Sequence, residues 1–115
     1  MALLDQLASC TRLCDACRHL CRECAEACRS MPDMQNCVDL NVRCAEFCDE
    51  TIRTMARGSV ENCEACAEAC DRCAEECEKY GEEACYECAQ VCRRCEHECR
   101  ELAALGLGGS KYTLQ

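Results

Sequence analysis

Between residues 10 and 28 cysteine recurs as CTRLCDACRHLCRECAEAC, at Cys10, Cys14, Cys17, Cys21, Cys24 and Cys28, in steps of 4, 3, 4, 3 and 4. That alternation averages about 3.5 residues, the period of the buried seam of a helix in a bundle. A seam normally carries Leu, Ile or Val, and here it carries only thiols. The cadence returns at Cys63, Cys66, Cys70, Cys73 and Cys77, and again at Cys85, Cys88, Cys92, Cys95 and Cys99. Between these runs lies a sparser seam of Met34, Cys37, Asn41, Cys44, Cys48, Thr51 and Met55. All 19 cysteines of the 115-residue chain therefore fall on inward stripes, six, three, five and five by helix.

The punctuation between the runs divides the chain into helices over about residues 2–29, 33–57, 60–80 and 82–105. Pro32 ends the first pattern, and Ser30 or Asp33 is placed to cap the second helix. Gly58 suits the left-handed position that closes a helix, Ser59 can cap the third, and Gly81 ends it. Loops this short make sequential helices antiparallel neighbours. The expected fold is all-α: one domain over 1–105, an antiparallel up-down-up-down four-helix bundle with a cysteine-lined core. Residues 106–115, GLGGSKYTLQ, lose the period and read as a flexible tail.

Antiparallel order makes the two ends of such a bundle different. One collects Leu3, Leu7, Thr51, Met55, Val60 and Leu102, an apolar plug. The other collects Cys28, Met31, Met34, Cys37, Cys77, Tyr80 and Cys85, with no Leu, Ile or Val in the seam, and reads as a mouth rimmed by soft sulfur. Asn41, on an inward position, is expected to hydrogen-bond and fix register as buried Asn does in coiled coils. Ala25, Ala67, Ala74 and Ala89 flank the thiols and allow close approach of the backbones. His19 and His97 fall on the outer face. So do Leu13 with Leu20 and Leu40 with Phe47, which either complete packing inside the bundle or form a subunit interface.

A net charge of −9 leaves no basic stripe for nucleic acid. The start MALLDQLASC has no basic n-region, apolar run or cleavage site, and no stretch is long enough to span a membrane, so a cytoplasmic location is expected. There cysteines stay reduced or hold metal. Disulfides fit poorly, because side-chain vectors along an intact helix rarely meet the disulfide dihedral and the cysteine count is odd. An iron–sulfur cluster needs loop-borne cysteines, and none occurs. The residues then point to a thiolate store for soft metal, with no nucleophile–base pair, no phosphate loop and no enzyme activity.

Thiolate-only sites favour Cu(I), with zinc or cadmium buffering as the alternative and a thiol redox protein behind it. Charge helps decide between the metals. Zinc in four-thiolate sites would bury net negative charge, whereas one Cu(I) per bridging thiolate is neutral. The expected ligands are Cys10, Cys14, Cys17, Cys21, Cys24, Cys28, Cys37, Cys44, Cys48, Cys63, Cys66, Cys70, Cys73, Cys77, Cys85, Cys88, Cys92, Cys95 and Cys99, with Met31 and Met34 at the entry, and a copper chaperone is a candidate donor.

The stretch CAEACDRCAEECEKYGEEACYECAQVCRRCEHEC ending at Cys99 resembles the bacterial copper storage proteins, in particular their cytosolic branch, and the likeness of helix pattern and thiol spacing covers residues 10–99. The resemblance implies a four-helix bundle whose inward cysteines bind many Cu(I) ions, and assembly as a homotetramer. Met31 and Met34 match the Met-bearing mouth of some members. Cytosolic members often place His near the end of the third helix, where this chain has Glu78-Lys79-Tyr80.

Overall fold

The computed structural model describes residues 2–113. Its order is α1 (Leu3–Cys28), α2 (Gln35–Ala56), α3 (Cys63–Cys77) and α4 (Glu83–Thr113). Each helix packs on its chain neighbours, and α1 also packs on α4, so the four close into a ring; among the described residues no helix packs on its diagonal partner. This is the up-down-up-down bundle that the short loops demand. Ala25, Ala45, Ala67, Ala74 and Ala89 are buried beside the thiols, so small residues let the backbones come close where sulfur fills the centre. Among the described residues no helix is long and apolar enough to cross a membrane.

The connections differ in detail from the sequence expectation. Neither Ser30 nor Asp33 caps α2: Met34 occupies the N-cap with no side-chain bond, and Asp33 turns the chain in the left-handed region at φ 61°. Asp tolerates that conformation because its short polar side chain can bond locally. Gly58 does adopt the left-handed conformation, at φ 80°, with its amide on the Met55 carbonyl. Ser59 does not cap α3, which starts three residues later than expected, at Cys63 after an Asn62 N-cap; the Ser59 hydroxyl instead accepts the Glu61 amide at 3.2 Å.

At the other end of the chain, α4 continues past residue 105 to Thr113, where a tail was expected; Leu114 and Gln115 lie outside the described residues. Glycine lowers helix propensity by about 1 kcal/mol against Ala, but it ends a helix only by turning left-handed. Gly106 does not turn. It lies against Val60 so closely that a Cβ there would overlap the Val60 side chain.

The apolar end is built as expected from Leu7, Thr51, Met55 and Leu102, all buried, with Val60 half-buried against them and Thr54 and Ala103 added. Leu3 is not part of it. It is 51 % exposed, and the whole first turn of α1 through Asp5 is exposed with it. A seam position buries a side chain only where a facing helix reaches it.

Candidate metal centre

All 19 cysteines are free and buried, each 0 or 1 % exposed. They stack in layers along the bundle axis. At the plug end Cys10, Cys63 and Cys99 come together, with the Cys10 and Cys99 sulfurs 3.5 Å apart. The next layer takes one cysteine from every helix: Cys14, Cys48, Cys66 and Cys95. In the third, Cys17 lies 3.9 Å from Cys44, 3.9 Å from Cys70 and 3.6 Å from Cys92. The fourth holds Cys21 with Cys73 at 3.9 Å and Cys88 at 3.6 Å. Nearer the mouth, Cys24 is 3.6 Å from Cys85 and Cys37 is 3.9 Å from Cys77; Cys28 closes the stack, 3.7 Å from Cys85.

Two layers lack a thiol from α2, and the residue that replaces it differs. Beside the first layer stands Thr51, whose hydroxyl is satisfied by the Phe47 carbonyl of its own helix at 2.7 Å. Beside the fourth stands Asn41, fully buried. Its Oδ1 accepts the Cys88 thiol at 2.9 Å and the Cys73 thiol at 3.2 Å. Its Nδ2 donates to the Cys37 carbonyl at 2.8 Å and faces the sulfurs of Cys37, Cys24 and Cys77 at 3.4 to 3.5 Å. Every hydrogen-bonding atom of the amide is used, as a buried polar group requires. The register role expected of Asn41 thus has a concrete form: it ties α2 to the sulfurs of the other three helices.

Sulfurs 3.5 to 4.0 Å apart have the separation that ligands of one ion take at a metal–sulfur bond of about 2.3 Å. Successive four-sulfur groups share members. Cys17 belongs both to a group with Cys21, Cys44 and Cys92 and to one with Cys48, Cys70 and Cys95. The sulfurs therefore form one continuous lattice of overlapping groups in place of separate ones. Within it the thiols share protons. Hydrogen bonds from Cys24 first, then Cys37 and Cys73, depress Cys77 to about 4. Cys66 is likewise held low, by Cys14 first, while Cys14 is pushed up by its bonds to Cys10, Cys48 and Cys66. Burial leads the rise of Cys85 to about 12.

At the mouth, Met34 is buried in the core and Met31 half-buried against it. Tyr80 is half-buried there too. His19 and His97 are exposed, near Asp15 and Glu101, and play no part in the core. Leu13, Leu20 and Phe47 pack on the core within the bundle, and Leu40 is half-buried. One residue of the mouth was passed over in the sequence: Glu76, buried beside Cys77. Its signal was Tyr80 four residues on, the spacing at which helical side chains meet.

Outside the core, Arg18 and Arg22 of α1 both bind Asp49 of α2, and Arg93 of α4 binds Asp71 of α3 at 2.6 Å. These clasps hold each hairpin in register and contribute little energy at the surface.

A model of the copper storage proteins matches residues 4–104. The chain belongs to the copper storage protein family. Among solved structures it is similar to a cytosolic copper storage protein from Streptomyces lividans with five coppers loaded, at 32% identity and TM-score 0.83, over 89% of this chain and 95% of that one. It is also similar to copper storage protein 3 of Bacillus subtilis without metal, at 30% identity and TM-score 0.79, over 84% and 97% of the two chains. The Cu(I)-bound form of a copper storage protein 3 matches at 29% identity and TM-score 0.80, over 85% and 98%. Among curated proteins none matches this chain. A copper storage protein retains its metal and turns nothing over, so the layered thiols are a reservoir and not an active site.

Proposed function

We propose that the ligands of this copper store are all 19 cysteines, with Met31 and Met34 receiving the metal at the mouth. The chain binds multiple Cu(I) ions through its buried cysteine groups. The observation that carries the ligand assignment is the unbroken stack of sulfurs from Cys10 to Cys28, in which neighbouring four-sulfur groups share members. Sharing favours Cu(I) over zinc. A monovalent ion on bridging thiolates leaves the core neutral, while divalent ions on four thiolates each would bury negative charge. Capacity then approaches roughly one ion per cysteine on that soft-ligand stoichiometry. Cu(I) enters between Met31 and Met34, exchanges onto Cys28, Cys37, Cys77 and Cys85, and moves inward by ligand exchange between adjacent sulfurs. Each thiol that becomes a ligand loses its proton, so loading acidifies the medium and weakens as pH falls.

The chain forms one domain, acts in the cytoplasm, assembles as a homotetramer and receives copper from a chaperone. Support for the location comes from its likeness to a protein described as cytosolic, and for the assembly from the family resemblance. Light scattering tests the assembly directly: a tetramer has four times the chain mass of 12.8 kDa.

Anaerobic titration with Cu(I), followed by desalting and metal analysis, tests the ligand set. More than about ten retained ions per chain are expected from the bridging stoichiometry. Retention of fewer than about four would mean discrete sites instead of a filled core. Serine at any one layer should lower capacity by that layer's share.

A further inference from the structure

Glu76 is the only buried charged side chain among the described residues, 6 % exposed. A carboxylate leaves water at a cost unless it is paired and hydrogen-bonded. Here the Tyr80 hydroxyl donates to its Oε2 at 2.7 Å and the Lys79 ammonium lies 3.1 Å from its Oε1. Those two side chains are the partners that its carboxylate has among the described residues. Copper storage by thiolates uses none of these groups, yet they are gathered at the end of the bundle where the metal enters.

Tyr80 follows Cys73 and Cys77 in the seam of α3, just past the helix end, and its amide bonds the Cys77 carbonyl. Its ring is half-buried and packs on the core at the end of the bundle that holds Cys77. Its hydroxyl is held by one hydrogen bond to the buried Glu76 carboxylate. Beyond Cys77, the last thiol of α3, the next side chain in the seam is this ring.

We propose that Tyr80 is a lid on the mouth, latched by the buried Glu76, and that the latch sets the rate at which Cu(I) leaves and enters without changing how much is held. The proposal rests on the copper-store reading above. The latch is a neutral donor on a charged acceptor, among the stronger kinds of single hydrogen bond. It needs no bond to metal, so it can open while the core stays loaded.

The test compares wild type with Tyr80→Phe, Glu76→Gln and the double variant, each loaded anaerobically with Cu(I) and desalted. Metal analysis gives the amount retained, and bathocuproine disulfonate in excess gives the rate of extraction. Tyr80→Phe keeps the ring and loses only the latch. Extraction should quicken by roughly three- to tenfold, the range for one half-exposed charge-assisted bond, with retention unchanged. Glu76→Gln should act in the same direction. The double variant should be no faster than the faster single one, because both changes break one bond. Equal extraction rates for wild type and Tyr80→Phe overturn the latch while leaving the store intact, and so does a double variant whose factor is the product of the two. Failure of wild type to retain Cu(I) overturns the store itself, an outcome the retention measurement reports separately.

Discussion

The two ends of this bundle are closed by different physics. At the plug, Leu7, Thr54, Met55, Leu102 and Ala103 are buried against one another, and Gly106 brings α4 down on Val60. That closure is apolar contact, which has no low-energy open form. At the mouth, Met31 and Met34 are flexible thioethers, and Tyr80 is held by hydrogen bonds around Glu76. Bonds of that kind exchange readily with water and re-form. What differs between the two ends is what stands beyond the last cysteine, apolar side chains at one and thioethers with a hydrogen-bonded phenol at the other, on one unaltered seam.

Leu102→Ala should show the largest effect and confine it to stability. Truncating a fully buried Leu costs about 2–5 kcal/mol, so the metal-free bundle should lose a matching amount in urea denaturation. Copper capacity should stay the same, because Leu102 offers no ligand. A fall in capacity equal to that of a cysteine variant would end the distinction between plug and column.

Asn41→Leu should come next. It removes the acceptor for the Cys73 and Cys88 thiols and the donor facing Cys24, Cys37 and Cys77. Stranding buried partners costs about 1–3 kcal/mol, seen as a lower urea midpoint for the metal-free protein. Loading with Cu(I) should restore much of it, since ions can then bridge the sulfurs that Asn41 held together.

Alkaline pH probes both ends at once. Cys63, beside the plug, is raised to about 12 by its bond to Cys10 first, and Cys85, at the mouth, is raised to about 12 by burial first. Both have an ordinary value of 9.0. A group whose folded pKa lies above its unfolded one contributes stability that is complete below 9.0 and lost as pH rises toward about 12. The metal-free bundle should therefore weaken across that window in urea titrations. Copper-loaded protein should not, because its ligands have already lost their protons.

Gly106→Ala should be the smallest effect. Helix propensity gains about 1 kcal/mol, and overlap with Val60 costs about 1–3 kcal/mol. A net loss near 1 kcal/mol in chemical denaturation would confirm that the close approach belongs to the plug. A gain of stability would show that Val60 moves aside freely.

The seam cysteines could be read from the chain because a step of three and four leaves one face no choice but inward, and every one of them is buried. What could not be read lies where periodicity stops carrying information. Leu3 keeps the seam spacing but stands on an exposed first turn, since the pattern of one helix does not reveal where its neighbours end. Gly106 opens a Gly-rich stretch that read as a tail, yet a glycine is also what allows a backbone to lie close against a neighbouring side chain. Glu76 sits one residue from a ligand and looks like the other glutamates of an acidic surface. Its burial goes with the Tyr80 hydroxyl, which lies past the end of the helix and so outside its periodic pattern. Asn41 was legible as an inward amide, but the division of its two ends between two sets of sulfurs needed coordinates.

The layered core also makes capacity a matter of length. From Cys10 to Cys24 each layer takes thiols from three or all four walls and touches only the layers above and below it. Inserting seven residues into every helix at mid-height would add about two layers, given two seam positions per heptad. Neither end would be disturbed, and no new side-chain solution would be needed. A gene encoding such a protein can be tuned to a larger or smaller reserve by in-frame duplication alone.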